Sequence, residues 1–447
     1  MFGFSKTRKW IYADRVDGRF QRLRRWTFLA LLLVLFVTPW VRVRGNPALE
    51  VDLAGRHLYA FGSIFTASDT LLLLLLLLFL AFSLFFFTSL FGRLWCGYAC
   101  PQTVFLDGFV RPFERWIEGE WTTRRRRDGG PLTLDRAWRK AAKWAVLAAA
   151  AALVATGFLS YWAGARELWT GRAGPVEYTL VAIFAAAFFT DFVWFREQFC
   201  NFLCPYARFQ SALTDERTLL IGYDERRGEP RGGPDARTAG RCIECQRCVN
   251  VCPQGIDIRH GFQLECIGCA QCVDACTIVM GKDGHATLVR YGSLASLAGR
   301  PSRLLRPRTV AYGGLLAALT AAAVVLLALR IPFEASVSRA PGSLFTMDAG
   351  GWVRNTYFLR LANNAAGRDS LRFAVRVEGL PGARVDVPTV ALAPSQDQMV
   401  PLVVRAPARN LRHGRTVPLQ VRVTAAAGQK LLRTTFETGG EDDELEN

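Results

Sequence analysis

The stretch Cys242-Ile-Glu-Cys245-Gln-Arg-Cys248-Val-Asn-Val-Cys252-Pro253 is followed, fourteen residues after Cys252, by Cys266-Ile-Gly-Cys269-Ala-Gln-Cys272-Val-Asp-Ala-Cys276. Eight of the 12 cysteines fall in this segment, in two copies of one spacing. Three closely spaced cysteines wrap one corner of an iron–sulfur cube, and the fourth thiolate comes from the other copy. The spacing therefore predicts two [4Fe–4S] clusters with crossed ligands. Cys242, Cys245, Cys248 and Cys276 hold one; Cys266, Cys269, Cys272 and Cys252 hold the other. A zinc knuckle would show paired C-x-x-C without the third near cysteine, so the pattern argues against it.

This doubled string has the spacing of a bacterial ferredoxin with two clusters. One position departs from it: Pro253 follows Cys252, but Thr277 follows Cys276. Proline there shapes the turn and not the ligand set. A locally altered second cluster is expected, not a lost one.

Outward from this segment the chain is apolar. It has 447 residues, 51% of them hydrophobic, and a net charge of +17. Five apolar stretches stand out: Trp26–Val41, Leu71–Gly92, Trp144–Ala165, Tyr178–Phe195 and Thr309–Leu329. About 20 apolar residues cross a bilayer. The first stretch is short, carries Pro39 and needs Arg42 and Arg44 to snorkel. No small-x-small site follows it, which argues against a cleaved signal peptide. Lys and Arg crowd the N-terminal tail (Lys6, Arg8 and Lys9 through Arg25) and the segment after the second stretch (Arg93 through Lys143). The segments after the first and third are balanced by Glu50, Asp52, Glu167 and Glu177. The positive-inside rule then predicts a cytoplasmic N-terminus, a cytoplasmic cluster segment and a C-terminus outside. The basic surplus reads as a topology and lipid-headgroup signal, with no nucleic-acid partner. All cysteines lie at or inside the cytoplasmic face, where thiols stay reduced and free for metal.

After Arg330 the pattern changes. Asn355–Asn363, Leu371–Val377, Val400–Arg405, Val417–Thr424 and Leu431–Thr438 alternate apolar and polar residues between Gly, Pro and Asn breaks. Period-two runs at short spacing predict a small β-sandwich. The expected organisation is a cytoplasmic tail (1–25) and four transmembrane helices with a cytoplasmic loop at 93–143 (26–196). A cytoplasmic ferredoxin-type domain (197–308), a fifth helix (309–330), a periplasmic sandwich (331–440) and an acidic tail (441–447) follow.

The other four cysteines form Cys96-Gly-Tyr-Ala-Cys100-Pro101 and Cys200-Asn-Phe-Leu-Cys204-Pro205, each after an apolar stretch and each followed by a short segment ending in Phe. They are internal repeats. On a continuous helix, residues i and i+4 share a face, so each pair is expected to clamp one ion, with the proline stopping or kinking the helix. Soft thiolates favour Cu(I), in a four-cysteine or a two-coordinate site. A third iron–sulfur centre on the same four residues is the rival; simple packing of small apolar thiols is the plainest reading. Asp191, inside the fourth stretch, is either an auxiliary functional carboxylate or a snorkelling partner of Arg196. His57, His260, His285 and His413 show no ligand spacing. Four methionines are too few for a Met/His-rich copper path.

These features together resemble the CcoG/FixG/RdxA family of cytochrome c oxidase accessory proteins. The resemblance rests on Cys96–Pro101, Cys200–Pro205, the doubled string Cys242–Cys276, five spans and the region after Arg330, nearly the whole chain. It implies a multi-domain membrane protein. Five transmembrane α-helices carry a cytoplasmic two-cluster bacterial-ferredoxin-like insert and a C-terminal all-β immunoglobulin-like sandwich. It implies a role in assembling the cbb3-type haem–copper oxidase, reducing Cu(II) to Cu(I) at Cys96, Cys100, Cys200 and Cys204 with electrons from the two clusters. A bacterial inner-membrane location is implied. The partners would be the oxidase assembly machinery, a copper chaperone or exporter and an unidentified electron donor; a homodimer is compatible. Two alternatives are a polyferredoxin subunit of a quinone-linked respiratory system without copper chemistry, and a non-redox assembly factor. NapH-like relatives would end soon after the clusters, and NosR-like ones would carry a flavin domain in front.

Overall fold

Leu71–Leu80 offers no polar residue at any helical spacing, so its helix is apolar all round, the pattern of a segment that faces lipid. In the computed structural model, which describes residues 10–53, 55–66, 69–232, 240–282, 284–301, 305–365, 370–411 and 416–438, it forms part of a helix over Thr70–Phe91. Lys6, Arg8, Lys9, His413 and the acidic tail lie outside the described residues. Among the described residues five helices are long and apolar enough to cross a membrane: Arg19–Trp40, Thr70–Phe91, Leu134–Ala163, Pro175–Phe195 and Pro307–Ala328. Two begin well before their apolar runs. Arg19, Arg22, Arg24 and Arg25 open the first, and Arg136, Arg139, Lys140 and Lys143 open the third. Helical hydrogen bonding is indifferent to side-chain polarity, so the apolar run marks only part of the helix.

The chain separates into two compact units, Met1–Pro39 with Leu75–Ala322, and Trp40–Leu74 with Ala323–Asn447. In the first, the helices Leu134–Ala163 and Pro175–Thr190 form a hairpin. The first helix packs so closely that a Cβ on Gly157 would lie 2.6 Å from the Phe36 ring. Phe28, Phe105, Val110, Leu147, Val154 and Phe192 fill the core between them. The cluster segment follows. Its ends are closed by an antiparallel pair of strands, Leu220–Tyr223 with Val289–Gly292, over a small core of Ile221, Ile258, Val273, Leu288 and Val289.

The second unit is a sandwich of two antiparallel sheets. One orders its strands 384–386, 397–407, 352–363 and 333–339, with 346–348 also pairing onto 352–363; the other orders 390–392, 371–378, 416–425 and 428–437. Each of the five alternating runs falls on a strand. Their inward residues, among them Tyr357, Leu359, Leu361, Leu402, Val404, Val421 and Phe436, form one buried core. Sequence reading passed over the seven-residue strand 333–339 and three three-residue strands here, and over a three-stranded sheet (49–52, 57–60, 63–65) that clusters with this unit. Arg330 binds both Asp69 carboxylate oxygens, at 2.8 and 2.7 Å.

Candidate metal centres

The two cysteine loops share a backbone device. Glu244 and Gly268 precede the middle cysteine of each copy, and Gln246 and Ala270 follow it. All four have positive φ, 56°, 68°, 55° and 59°. Left-handed residues on both sides of a cysteine curl the chain into a concavity and aim amide N–H groups at its sulfur. Cys266 accepts from the Gly268 amide, Cys269 from that of Gln271, and Cys252 from those of Gln254, Gly255 and Ile256.

Two mostly apolar cavities result. Cys242, Cys245, Cys248 and Cys276 line one, with Tyr223, Ile243, Met280 and Leu288. Cys252, Cys266, Cys269 and Cys272 line the other, with Ile221, Ile256 and Ile258; Cys248 also touches it. Among the described residues no three His, Cys, Asp or Glu side chains converge on the position of a single ion. Thiols spread around a cavity suit a cage of irons and not one zinc, and the donor set fits two [4Fe–4S] groups. Burial pushes the thiols of Cys248 and Cys266 up to about 12 and that of Cys252 up to about 11, and raises Cys269 and Cys272 as well. Ligation must therefore displace protons. Thr277 sits inside the helix Gln271–Lys282, which runs on past Cys276, and its hydroxyl donates to the Val273 carbonyl. At the matching place the chain turns at Cys252–Pro253.

The membrane-side pairs are built differently from the expected continuous helix. Cys96 lies in the short helix Leu94–Tyr98 and Cys200 in a widened turn, Phe199–Leu203. Cys100 and Cys204 are extended, at ψ 127° and 111°, each capping a new helix whose first residue is the proline. Neither pair shares one helix face, because proline drives the residue before it out of the α region. The four thiols still meet in one neighbourhood. Cys96 and Cys200 each feel the charges of Cys100 and Cys204, and burial pushes Cys96 up to about 12 and raises Cys200 and Cys100. The fully buried Gln210, from the helix after the second pair, donates to the Cys96 sulfur at 3.5 Å.

This neighbourhood abuts the second cluster loop. A Cβ on Gly97 would lie 2.7 Å from the Ile267 carbonyl and 2.9 Å from the Cys269 backbone, so only glycine permits the approach. The Tyr291 hydroxyl donates to the Gly268 carbonyl at 2.6 Å and lies 3.4 Å from that of Tyr98. Arg24, wholly buried, donates through Nε to the Gly97 carbonyl at 2.9 Å and pairs with Asp107.

Sequence reading missed the buried ion pairs that frame the site. Asp107 is held by Arg24 and Arg111, which keep its carboxyl below the usual range against the cost of burial. Glu114 is held by Arg196 and Arg124, which keep it down at about 2 although it too is fully buried. Charges at Asp107, Arg111 and Glu114 among aromatic residues were the available signal. Asp191 accepts from Gln102 Nε2 at 3.0 Å, whereas the Arg196 side chain turns to Glu114 and Glu197. Asp191 thus contacts the helix after the first pair, while Arg196 makes its side-chain ion pairs with the two glutamates.

Comparison with known proteins places these elements in a family. A 4Fe-4S dicluster domain model matches residues 195–294, a 4Fe-4S binding domain model matches 72–121, and an Ig-like fold at the C-terminal of FixG matches 323–438. Protein RdxA of Cereibacter sphaeroides is 35% identical over 446 residues, covering 94% of each chain. Nitrogen fixation protein FixG of Rhizobium meliloti is 34% identical over 432 residues, covering 86% of this chain and 82% of that one. Protein RdxB of Cereibacter sphaeroides is 36% identical over 410 residues, covering 85% and 86%. With about 35% identity to these relatives over most of its length, and with iron–sulfur domain matches and the C-terminal FixG match, the chain belongs to the CcoG/FixG/RdxA family.

Proposed function

We propose that the protein carries electrons from two [4Fe–4S] clusters to the four membrane-side thiols and there reduces Cu(II) to Cu(I) for assembly of a cbb3-type oxidase. Cys242, Cys245, Cys248 and Cys276 would hold one cluster, and Cys252, Cys266, Cys269 and Cys272 the other. When bound, these groups supply one-electron storage. The chain's own residues do the rest. Amides aimed at Cys252, Cys266 and Cys269 favour the more negative, reduced state. Gly97 brings the first thiol pair against the second loop. Cu(II) takes up one electron at the thiols and leaves as Cu(I), which soft sulfur retains in low coordination. The observation that carries this proposal is the close approach of Gly97 to Ile267 and Cys269.

The charge asymmetry of the connecting segments supports five spans with the clusters on the cytoplasmic side of a bacterial inner membrane and the sandwich on the periplasmic side. A reporter after Asn447 should read as periplasmic, and one near Arg231 as cytoplasmic.

A second reading is favoured by the 4Fe-4S binding domain matched over residues 72–121, whose only cysteines are Cys96 and Cys100. On that reading the four thiols hold a third iron–sulfur centre. Iron analysis of anaerobically purified protein separates the two. About eight irons per chain, together with Cu(I) formed when dithionite-reduced protein meets Cu(II), supports copper; about twelve irons and no Cu(I) supports the third centre.

A further inference from the structure

A cavity of about 250 Å³ opens between the first long helix, the extended residues before it and the helical segment 106–115. Its lining is amphipathic: Arg25, Arg111 and Arg115 share it with Phe28 and Leu29 of the first helix, which turns apolar from Trp26 onward. The volume is below the ~300–1,000 Å³ of a drug-sized site and suits a single substituted ring.

Two observations tie this cavity to the clusters. Gln271, which lines it, immediately precedes Cys272. Arg111, which also lines it, donates through Nη2 to the carbonyl of Pro253 at 2.8 Å, directly after Cys252. The cavity therefore lies against the loops of the Cys252, Cys266, Cys269 and Cys272 set. A third observation concerns its free valence. Arg115 makes no side-chain ion pair within 4 Å among the described residues; burial disfavours its charge, while the more distant Glu120 and Asp107 carboxylates favour it. Its guanidinium can donate to a ligand oxygen in the cavity.

We propose that this cavity binds the head of a membrane quinol, whose tail leaves along Leu29, and that the quinol is the electron donor to the adjacent cluster. A phospholipid headgroup would satisfy Arg115 equally, but nothing about a lipid requires a redox centre behind the wall. The step balances. The diol is oxidised to the dione and two O–H bonds break. Their two protons leave to water. The two electrons enter the protein singly, and it holds two one-electron centres. Arg24 and Arg111 reach the Gly97 and Pro253 carbonyls with Asp107 shared between them, which leaves one net positive charge beside the accepting loop and favours its reduced state as a quinol donor requires. This rests on the electron-transfer reading above and adds to it the donor.

The test uses the full iron–sulfur-loaded chain in zwitterionic nanodiscs without oxygen, with decylubiquinol as the probe. Quinol should bleach the cluster absorbance with saturable dependence. Leu29→Trp, which fills cavity volume, and Arg115→Gln, which removes the guanidinium, should each raise the half-saturating quinol concentration about tenfold, near 1.4 kcal/mol. Iron content and dithionite bleaching should be unchanged in both. Absence of bleaching by quinol, or unaltered half-saturation in both variants, overturns the proposal. So does loss of phosphatidylglycerol binding in Arg115→Gln, measured after adding that lipid to a parallel set of nanodiscs, with quinol bleaching intact, which would mark a headgroup site. Cu(II) reduction by the dithionite-charged protein, measured on the same samples, reports separately on the copper reading and does not depend on this cavity.

Discussion

Gly92 and Arg196 occupy the same place in two copies of one module, four residues before the first cysteine. Both sit in the left-handed region, at φ 56° and 51°. A positive φ is needed twice, where a long helix ends and a cysteine pair begins. In the first copy glycine adopts it without strain, and a Cβ there would lie 2.7 Å from the Leu219 carbonyl. In the second copy an arginine adopts it and is held by Glu114 and Glu197. One copy is secured by the absence of a side chain, the other by a buried ion network. The first is a local solution. The second depends on a carboxylate more than eighty residues away in the chain.

The sharpest way to break this contrast is Glu114→Gln. It leaves Arg196 and Arg124 buried without their carboxylate, and should cost about 3–5 kcal/mol of stability, measured by thermal unfolding. Acid should expose the same interaction. Glu114 is held at about 2 in the folded protein, against about 4.3 for an unfolded glutamate. Its contribution, about 3 kcal/mol, is full above the unfolded value and is lost as pH falls from there toward 2. The acid limb of wild-type stability should thus be steeper than that of Glu114→Gln; parallel limbs would contradict the assignment.

Gly92→Ala comes next, with an expected loss of about 1–3 kcal/mol from strain at a left-handed position with no room. Its counterpart, Arg196→Gly, relieves the same strain but leaves Glu114 without its main partner. It should destabilise too, and stabilisation by that change would show that strain, not pairing, dominates the second copy.

The change most informative about electron flow is Gly97→Ala. The added methyl must push the loop away from Ile267 and Cys269. Iron content should hold, while single-turnover Cu(II) reduction by pre-reduced protein should slow several-fold. An unchanged rate would mean the two centres communicate by another route.

Much of this was legible in the residues. Cys242 to Cys276 carry their chemistry in their spacing, and the sandwich strands carry theirs in alternation, because both depend on neighbours close in sequence. The extended state of Cys100 and Cys204 was also written there, in Pro101 and Pro205; a proline constrains the residue before it, and a one-face reading of each pair overlooked that. What sequence did not disclose is pairing at a distance. Arg24 reads as one more basic residue of the N-terminal tail until folding buries it beside Gly97 and Asp107. The strands of 49–65 are three or four residues each, too short for any period to emerge.

The central claim, that electrons reach copper at the membrane-side thiols, is tested most directly by replacing Cys96, Cys100, Cys200 and Cys204 together with serine. Size is kept and soft thiolates become hydroxyls that hold Cu(I) poorly. The account predicts a folded protein that keeps about eight irons, loses Cu(I) binding and no longer reduces Cu(II) when pre-reduced with dithionite. Full Cu(II) reduction by this variant, with its irons intact, would contradict it.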